Sequence, residues 1–258
     1  MTIHRSSSRS PWTLLLHKAE YTAQYMVESM SKTYAIADLH GRFDLLEAAL
    51  AKIADHAELP ATLVTLGDYV DRGPDSRQVI ERLMKGLDNK GWRLICLKGN
   101  HEDIMWQTCQ GIVPDCDWWL TNGGGATLIS YGHEERDEVD VMVVPAEHLR
   151  WIERLPLMHV DKHRIFVHAG VDPTCSLDEQ SPQKVIWKIY SDRDDGGHGQ
   201  RHVVHGHEAH AHGPILKKNR TNLDTFAWHT GRLVIGVFDE DTPGGPLEIL
   251  ETQGQPAM

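Results

Sequence analysis

The 258-residue chain carries little that would tie it to a membrane, to disulfide chemistry or to nucleic acid. Its four cysteines, Cys96, Cys109, Cys116 and Cys175, include no CxxC pair and no small-domain framework. Reduced thiols in a cytoplasmic protein are therefore the expectation. No apolar run approaches the roughly 20 residues that a membrane span requires. TLLL (Thr13 to Leu16) is followed at once by His17, Lys18 and Glu20, which makes a poor signal-peptide core. Positive charge is also scarce: 26 Lys plus Arg stand against 37 Asp plus Glu, a formal net charge of −11. That balance argues against a general nucleic-acid binder, because phosphate backbones attract basic surfaces. It remains compatible with a polyanionic substrate if bound cations invert the local sign.

What is present is ordinary for a globular protein, with 40% hydrophobic and 24% charged residues. The length suits one large single-core domain, or at most two small ones. Residues 1–30 are expected to form a loosely ordered extension, with Met30 a candidate natural start, and residues 31–258 a single domain. TYAIA (Thr33 to Ala37), ATLVTL (Ala61 to Leu66) and WRLICL (Trp92 to Leu97) are short and strand-like. Leu45, Leu46, Ala49, Leu50 and Ile53 follow helical spacing between the first two, and Val79, Ile80, Leu83, Met84 and Leu87 between the second two. Two consecutive βαβ units predict parallel strands with helices packed on them.

Each strand runs into a polar turn: DLHGRFD, GDYVDRGPDS and KGNHED. Parallel strands bring their C-terminal ends to one edge, where open α/β sheets bind ligands. Asp38, His40, Asp68, Asp71, Arg72, Asn100 and His101 are thus predicted to converge. RIFVHAG ends in His168, and HVVHGHEAH carries His205, His207 and His210. Oxygen and imidazole donors suit manganese, iron or zinc. They are too many for one tetrahedral ion, and a pair of ions about 3.5–4 Å apart sharing a carboxylate fits the inventory better.

DLHG, GDYVDRG, GNHE, VHAG and HGH, in this order, resemble the phosphoprotein phosphatase family of binuclear metallophosphoesterases, and especially its bacterial serine/threonine phosphatase branch. The likeness runs from about Thr33 to about Phe238 and includes NGGGATLISYG, WIERLPL and NLDTFAWHTGRL. It implies a calcineurin-like α/β fold, a central β-sandwich of mixed sheets flanked by helices, with a helical insertion around residues 107–160. It also implies a cofactor of two divalent ions, manganese foremost with iron or zinc as alternatives. Asp38 and His40 would hold one ion, Asp68 would bridge both, and Asn100, His168 and His207 would complete the second.

On the same resemblance Arg72 clamps phosphate with its planar fork. His101 is the general acid, oriented and charge-stabilised by Asp71. The implied reaction is hydrolysis of phosphoserine or phosphothreonine in a phosphoprotein or phosphopeptide, by direct attack of a hydroxide held between the ions. Hydrolysis of symmetrical dinucleoside polyphosphates is the alternative activity, and a catalytically silent phosphoprotein-binding module the alternative class.

The sequence departs from the family in three places. Ala37 replaces a glycine before Asp38, and Glu208 follows His207 where threonine or glutamine is usual. The second phosphate-binding arginine falls in VIWKIYSDRDDGGHGQR, where Arg193 is the candidate and Lys188 its rival. Trp106, Trp118 and Trp119 are expected to pack a helical cap, and Glu102 to support its turn.

Overall fold

Strand β1 (Lys32–Ile36) buries every residue but its first, as a strand covered on both faces must. It pairs in parallel with β2 (Ala61–Thr65), which pairs in parallel with β3 (Trp92–Cys96). On its other side β1 meets β9 (Arg232–Asp239) antiparallel, and β9 meets β10 (Glu248–Gln253), giving the order β10-β9-β1-β2-β3. A second mixed sheet has the order β4-β5-β6-β8-β7, with β4 Met158–Val160, β5 Arg164–Val167, β6 His202–His205, β7 Ile215–Leu216 and β8 Arg220–Asn222. The computed structural model describes residues 31–88, 90–112, 116–134, 138–191 and 193–256. The expected extension over residues 1–30 lies outside them.

Ala35, Ala37, Val64 and Leu66 from the first sheet meet Phe166, Val204 and Leu223 from the second, and this buried apolar layer joins the two into a sandwich. Phe166 and Phe238 cross it edge to face at 5.5 Å. Outside the first sheet lie α1 (Phe43–His56) and α2 (Ser76–Lys85). They bury Leu45, Leu46, Ala49 and Ile53, and Val79, Ile80 and Leu83, the stripes predicted by the 3.6-residue period. The fold is thus the α/β sandwich of mixed sheets flanked by helices.

Between β3 and β4 the described residues are mainly helical. α3 (Asn100–Cys109) leads to α4 (Asp117–Trp119), a π-turn over Leu120–Gly124, α5 (Gly125–Ser130) and α6 (Ala146–Glu153). Trp119 is fully buried there, whereas Trp118 is half exposed and lies 5.8 Å from Trp187. Trp187 ends α7 (Pro182–Trp187), which covers the second sheet with Val185 and Ile186. A last short helix, α8 (Ala227–Thr230), precedes β9. The four cysteines are free thiols, and no described helix is long and apolar enough to cross a membrane.

Register delivers the site. Ile36 pairs with Thr65 and Thr65 with Cys96, so β1, β2 and β3 end level and release their three polar turns along one edge. β5 and β6 are parallel too, so His168 and His207 leave the second sheet in the same way.

Candidate metal centre

Seven described residues other than glycine have left-handed backbones: Asp38, His40, Asp68, Asp71, Arg72, His207 and Phe226. That conformation costs an L-residue roughly 1–2 kcal/mol, so it persists where the surroundings enforce it. Six of the seven are residues singled out from the sequence, which locates the strained backbone at the strand ends. The turns interlock through backbone bonds: the N–H of His40 donates to Asp68 O at 2.8 Å and that of Gly41 to Tyr69 O at 2.8 Å.

Asp68 lies at the centre. Its Oδ2 is 3.5 Å from Nε2 of His40 and its Oδ1 3.4 Å from Nε2 of His168. It is the shared member of two donor groups, one with His40 and His101, the other with His168 and His207. Asn100 joins the second, its Oδ1 being 2.8 Å from Nε2 of His168, which is 3.2 Å from Nδ1 of His207. Asp38 lies between the sheets and accepts the N–H of His207 on both oxygens, at 3.1 and 3.2 Å. All except His207 are fully buried.

Burial dominates the electrostatics of this cluster. Burial, with Asp224 and Asp68 adding repulsion, holds the Asp38 carboxyl well above the usual range. Asp224 is pushed up to about 7, again chiefly by burial. Burial also lowers His40, His168 and His207, the last to about 4, leaving neutral imidazoles. At Asp68 burial works upward, but His168, His101, His40 and His207 outweigh it and its pKa is lowered.

The donor set fits divalent ions. A neutral imidazole has one N–H, yet His168 faces two acceptors, Leu66 O from Nδ1 at 2.9 Å and Asn100 Oδ1 from Nε2. If Nδ1 donates to the carbonyl, the Nε2 lone pair meets the Asn100 oxygen with no proton between them, a contact that a cation relieves. His40 is anchored alike, Nδ1 to Val70 O at 2.8 Å. Its Nε2 accepts from Arg72, which a metal ion would have to displace. The backbone yields to the carboxylates: a Cβ at Gly99 would collide with Oδ1 of Asp68, and one at Gly206 with Oδ1 of Asp38.

Beside the cluster, Nδ1 of His101 is 2.6 Å from Oδ2 of Asp71. Asp71 is saturated with donors, accepting also from Trp119 Nε1 at 3.0 Å and Thr127 Oγ1 at 2.7 Å, both on Oδ1. Burial lowers the pKa of His101, but Asp68 and Asp71 more than offset it and the net direction is upward. The Arg72 guanidinium spans the opening, with Nη2 3.0 Å from Nε2 of His101. Glu102 accepts the N–H groups of Asp68, Tyr69, Val70 and Gly99 and so stitches two turns together.

Sequence reasoning missed three contributors. Trp119 packs the core as expected, but its indole N–H also reaches Asp71. Thr127 was an unremarked residue of NGGGATLISYG. Asp224, in the quoted stretch NLDTFAWHTGRL, is a buried acid whose only sequence signal is its place just after strand β8.

Among the described residues, no hydrogen bond or ion pair joins Arg193 to the cluster. It is exposed, and its turn is tied instead to the β7–β8 hairpin, where Asp195 accepts from Lys218 N at 3.0 Å and Asn219 Nδ2 at 3.1 Å. Its rival Lys188 donates to Val171 O at 2.7 Å and covers the Tyr190 ring. Glu208 accepts from Tyr190 N at 3.2 Å and lies 4.0 Å from Arg220. His205 is buried, its Nε2 3.1 Å from Nη1 of Arg220.

A family model described as calcineurin-like phosphoesterase matches residues 31–238. Serine/threonine-protein phosphatase 2 of Escherichia coli is 27% identical over 110 residues, 43% of this chain and 46% of that protein. The symmetrical bis(5'-nucleosyl)-tetraphosphatase of Erwinia tasmaniensis is 31% identical over 146 residues, 55% of this chain and 45% of that one. These matches cover less than half the length of either relative. The cold-active protein-tyrosine phosphatase of a Shewanella species superposes with a TM-score of 0.57 at 16% identity, covering 85% of this chain and 81% of its own, and shares the fold.

Proposed function

The chain belongs to the calcineurin-like phosphoesterases, and on that premise we propose that it hydrolyses phosphoserine and phosphothreonine in phosphoproteins. The observation that carries the reading is Asp68, whose two oxygens face the two imidazole groups and offer one bridge to two divalent ions. Bound there, manganese or a similar pair would supply Lewis acidity and lower the pKa of water to near neutrality.

The chain's own residues do the rest. Asp38 and His40 would hold one ion and Asn100, His168 and His207 the other, with neutral imidazoles presenting lone pairs. Arg72 holds the phosphate with its planar fork. His101 keeps a proton for the departing alkoxide, a poor leaving group, and Asp71 fixes the ring that donates it. Trp119 and Thr127 hold Asp71, and Glu102 holds the turns.

A second reading, hydrolysis of dinucleoside polyphosphates, is supported by the Erwinia relative and by the Trp228 ring, whose centre lies 5.8 Å from the Arg72 guanidinium carbon. The test is phosphate release from phosphoserine and phosphothreonine peptides and bis(5'-adenosyl) tetraphosphate by manganese-loaded protein. Asp68→Asn and His101→Asn run in parallel. Peptide turnover lost in both variants supports the proposal. Turnover of the dinucleotide alone overturns it in favour of the second reading.

A further inference from the structure

Asp71 and Arg72 are consecutive, and both stand in the left-handed region, at φ 72° and 71°. Two adjacent L-residues in that conformation need a hold from outside their own turn. Most of that hold comes from the helical insertion. The N–H of Arg72 donates to Gly123 O at 3.1 Å, and that of Asp71 to Thr127 Oγ1 at 2.8 Å, with Ser76 Oγ of α2 at 3.1 Å. One short stretch, NGGGAT (Asn122 to Thr127), therefore meets both backbones as it passes from the π-turn into α5.

Its three glycines differ in what they touch. Gly123 kinks the π-turn at φ 107°, and a Cβ there would lie 2.7 Å from the backbone nitrogen of Arg72 and 2.8 Å from its Cγ. Gly124 is buried, and a Cβ there would lie 2.5 Å from Cε2 of Trp119 and 2.7 Å from its Nε1. That indole N–H is the one that reaches both oxygens of Asp71, at 3.0 and 3.1 Å. A Cβ on Gly125 would meet nothing within 4 Å. The first two glycines are thus pressed against the site, while the third is free.

We propose that Gly123 and Gly124 are positioning residues, through which the π-turn sets Arg72 on one side and the Trp119–Asp71–His101 chain on the other. One element of the insertion then aligns the phosphate clamp with the proton donor, two groups that must face the same substrate oxygen atoms. A π-turn is a recurrent device where a helix has to serve a site. The inference rests on the hydrolase reading for what Arg72 and His101 do, and adds the element that places them.

The test compares the full, manganese-loaded chain with Gly123→Ala, Gly123→Asn, Gly124→Ala, Gly125→Ala and Trp119→Phe, each shown to be folded by circular dichroism. Isothermal titration with inorganic phosphate reports on Arg72. Turnover of two esters reports on the acid: para-nitrophenyl phosphate, whose leaving group departs without a proton, and an alkyl phosphate, whose leaving group needs one. Displacing Arg72 removes charge-assisted hydrogen bonds, so both Gly123 variants should bind phosphate roughly 10–100-fold more weakly. Asparagine tolerates a positive φ, so Gly123→Asn separates the overlap with Arg72 from backbone strain. Gly124→Ala and Trp119→Phe should bind phosphate as the parent does. They should lose roughly 10–100-fold in kcat on the alkyl ester, with para-nitrophenyl phosphate little changed. Since the added methyl acts through the indole, the two changes combined should lose no more than Trp119→Phe alone. Gly125→Ala should match the parent throughout.

Parent-like phosphate binding in both Gly123 variants, an equal fall on both esters in Gly124→Ala, or the same effects in Gly125→Ala would overturn the inference. If the parent hydrolyses neither ester, the hydrolase reading falls, and the phosphate titration still decides whether Gly123 places Arg72.

Discussion

His101 and Asp71 stand 2.6 Å apart, Nδ1 to Oδ2, and the aspartate that orients the imidazole is itself held by Trp119 and Thr127. The pair is a positioned acid rather than a surface ion pair, since both side chains are buried. Asp71→Asn retains the shape and removes the charge that favours the protonated ring. It is expected to lower kcat by about 10²–10⁴ with KM little changed. Steady-state kinetics on an alkyl phosphate check this, and an unaltered kcat would dismiss the acid role.

Glu102 answers four backbone N–H groups from the interior. Glu102→Ala leaves them buried without acceptors and is expected to cost roughly 2–5 kcal/mol in urea unfolding. Glu102→Gln retains an acceptor oxygen and should cost less. A loss under about 1 kcal/mol for the alanine variant would show that water or rearrangement serves those donors as well.

Gly206 leaves room for Oδ1 of Asp38. Gly206→Ala should push that carboxylate out of place and lower the bound manganese from about two ions per chain toward one. Elemental analysis beside far-ultraviolet circular dichroism separates this from unfolding. Retention of both ions would remove Asp38 from the ligand set.

His202 is buried on β6, where burial lowers its pKa to about 4. An unfolded histidine titrates near 6.5. Between those values the unfolded chain binds the extra proton, so this contribution to stability is present above about pH 6.5 and disappears as pH falls toward 4. Unfolding free energies at pH 7.5 and 4.5 should therefore fall by about 1–2 kcal/mol more in the parent than in His202→Phe, solvent screening included. Equal losses would reject the assignment.

The strand ends and the candidate ligands on them were legible because period-2 and period-3.6 patterns are local and polar turns punctuate them. The motif order alone places Asp38, His40, Asp68 and Asn100 on one edge. Contacts across the chain were not legible in that way. Trp119 reads as a core aromatic until its indole N–H meets Asp71, 48 residues away. Arg193 was placed by motif alone, and its exposure was not readable from that motif. Phe226 gave no warning, because a phenylalanine in a left-handed backbone contradicts propensity and only the surrounding fold enforces it.

The proposed ligands leave two different sheets: Asp38, Asp68 and Asn100 follow β1, β2 and β3, while His168 and His207 follow β5 and β6. No disulfide among the described residues ties those sheets together; the apolar layer that includes Phe166 and Phe238 sets their spacing. Ion affinity then becomes a gauge of interlayer slippage, and a substitution deep in that layer registers as weakened metal retention before any secondary structure melts. The converse holds as well: ions seated at the edge act as a clasp, so chelation should loosen the sandwich as a whole.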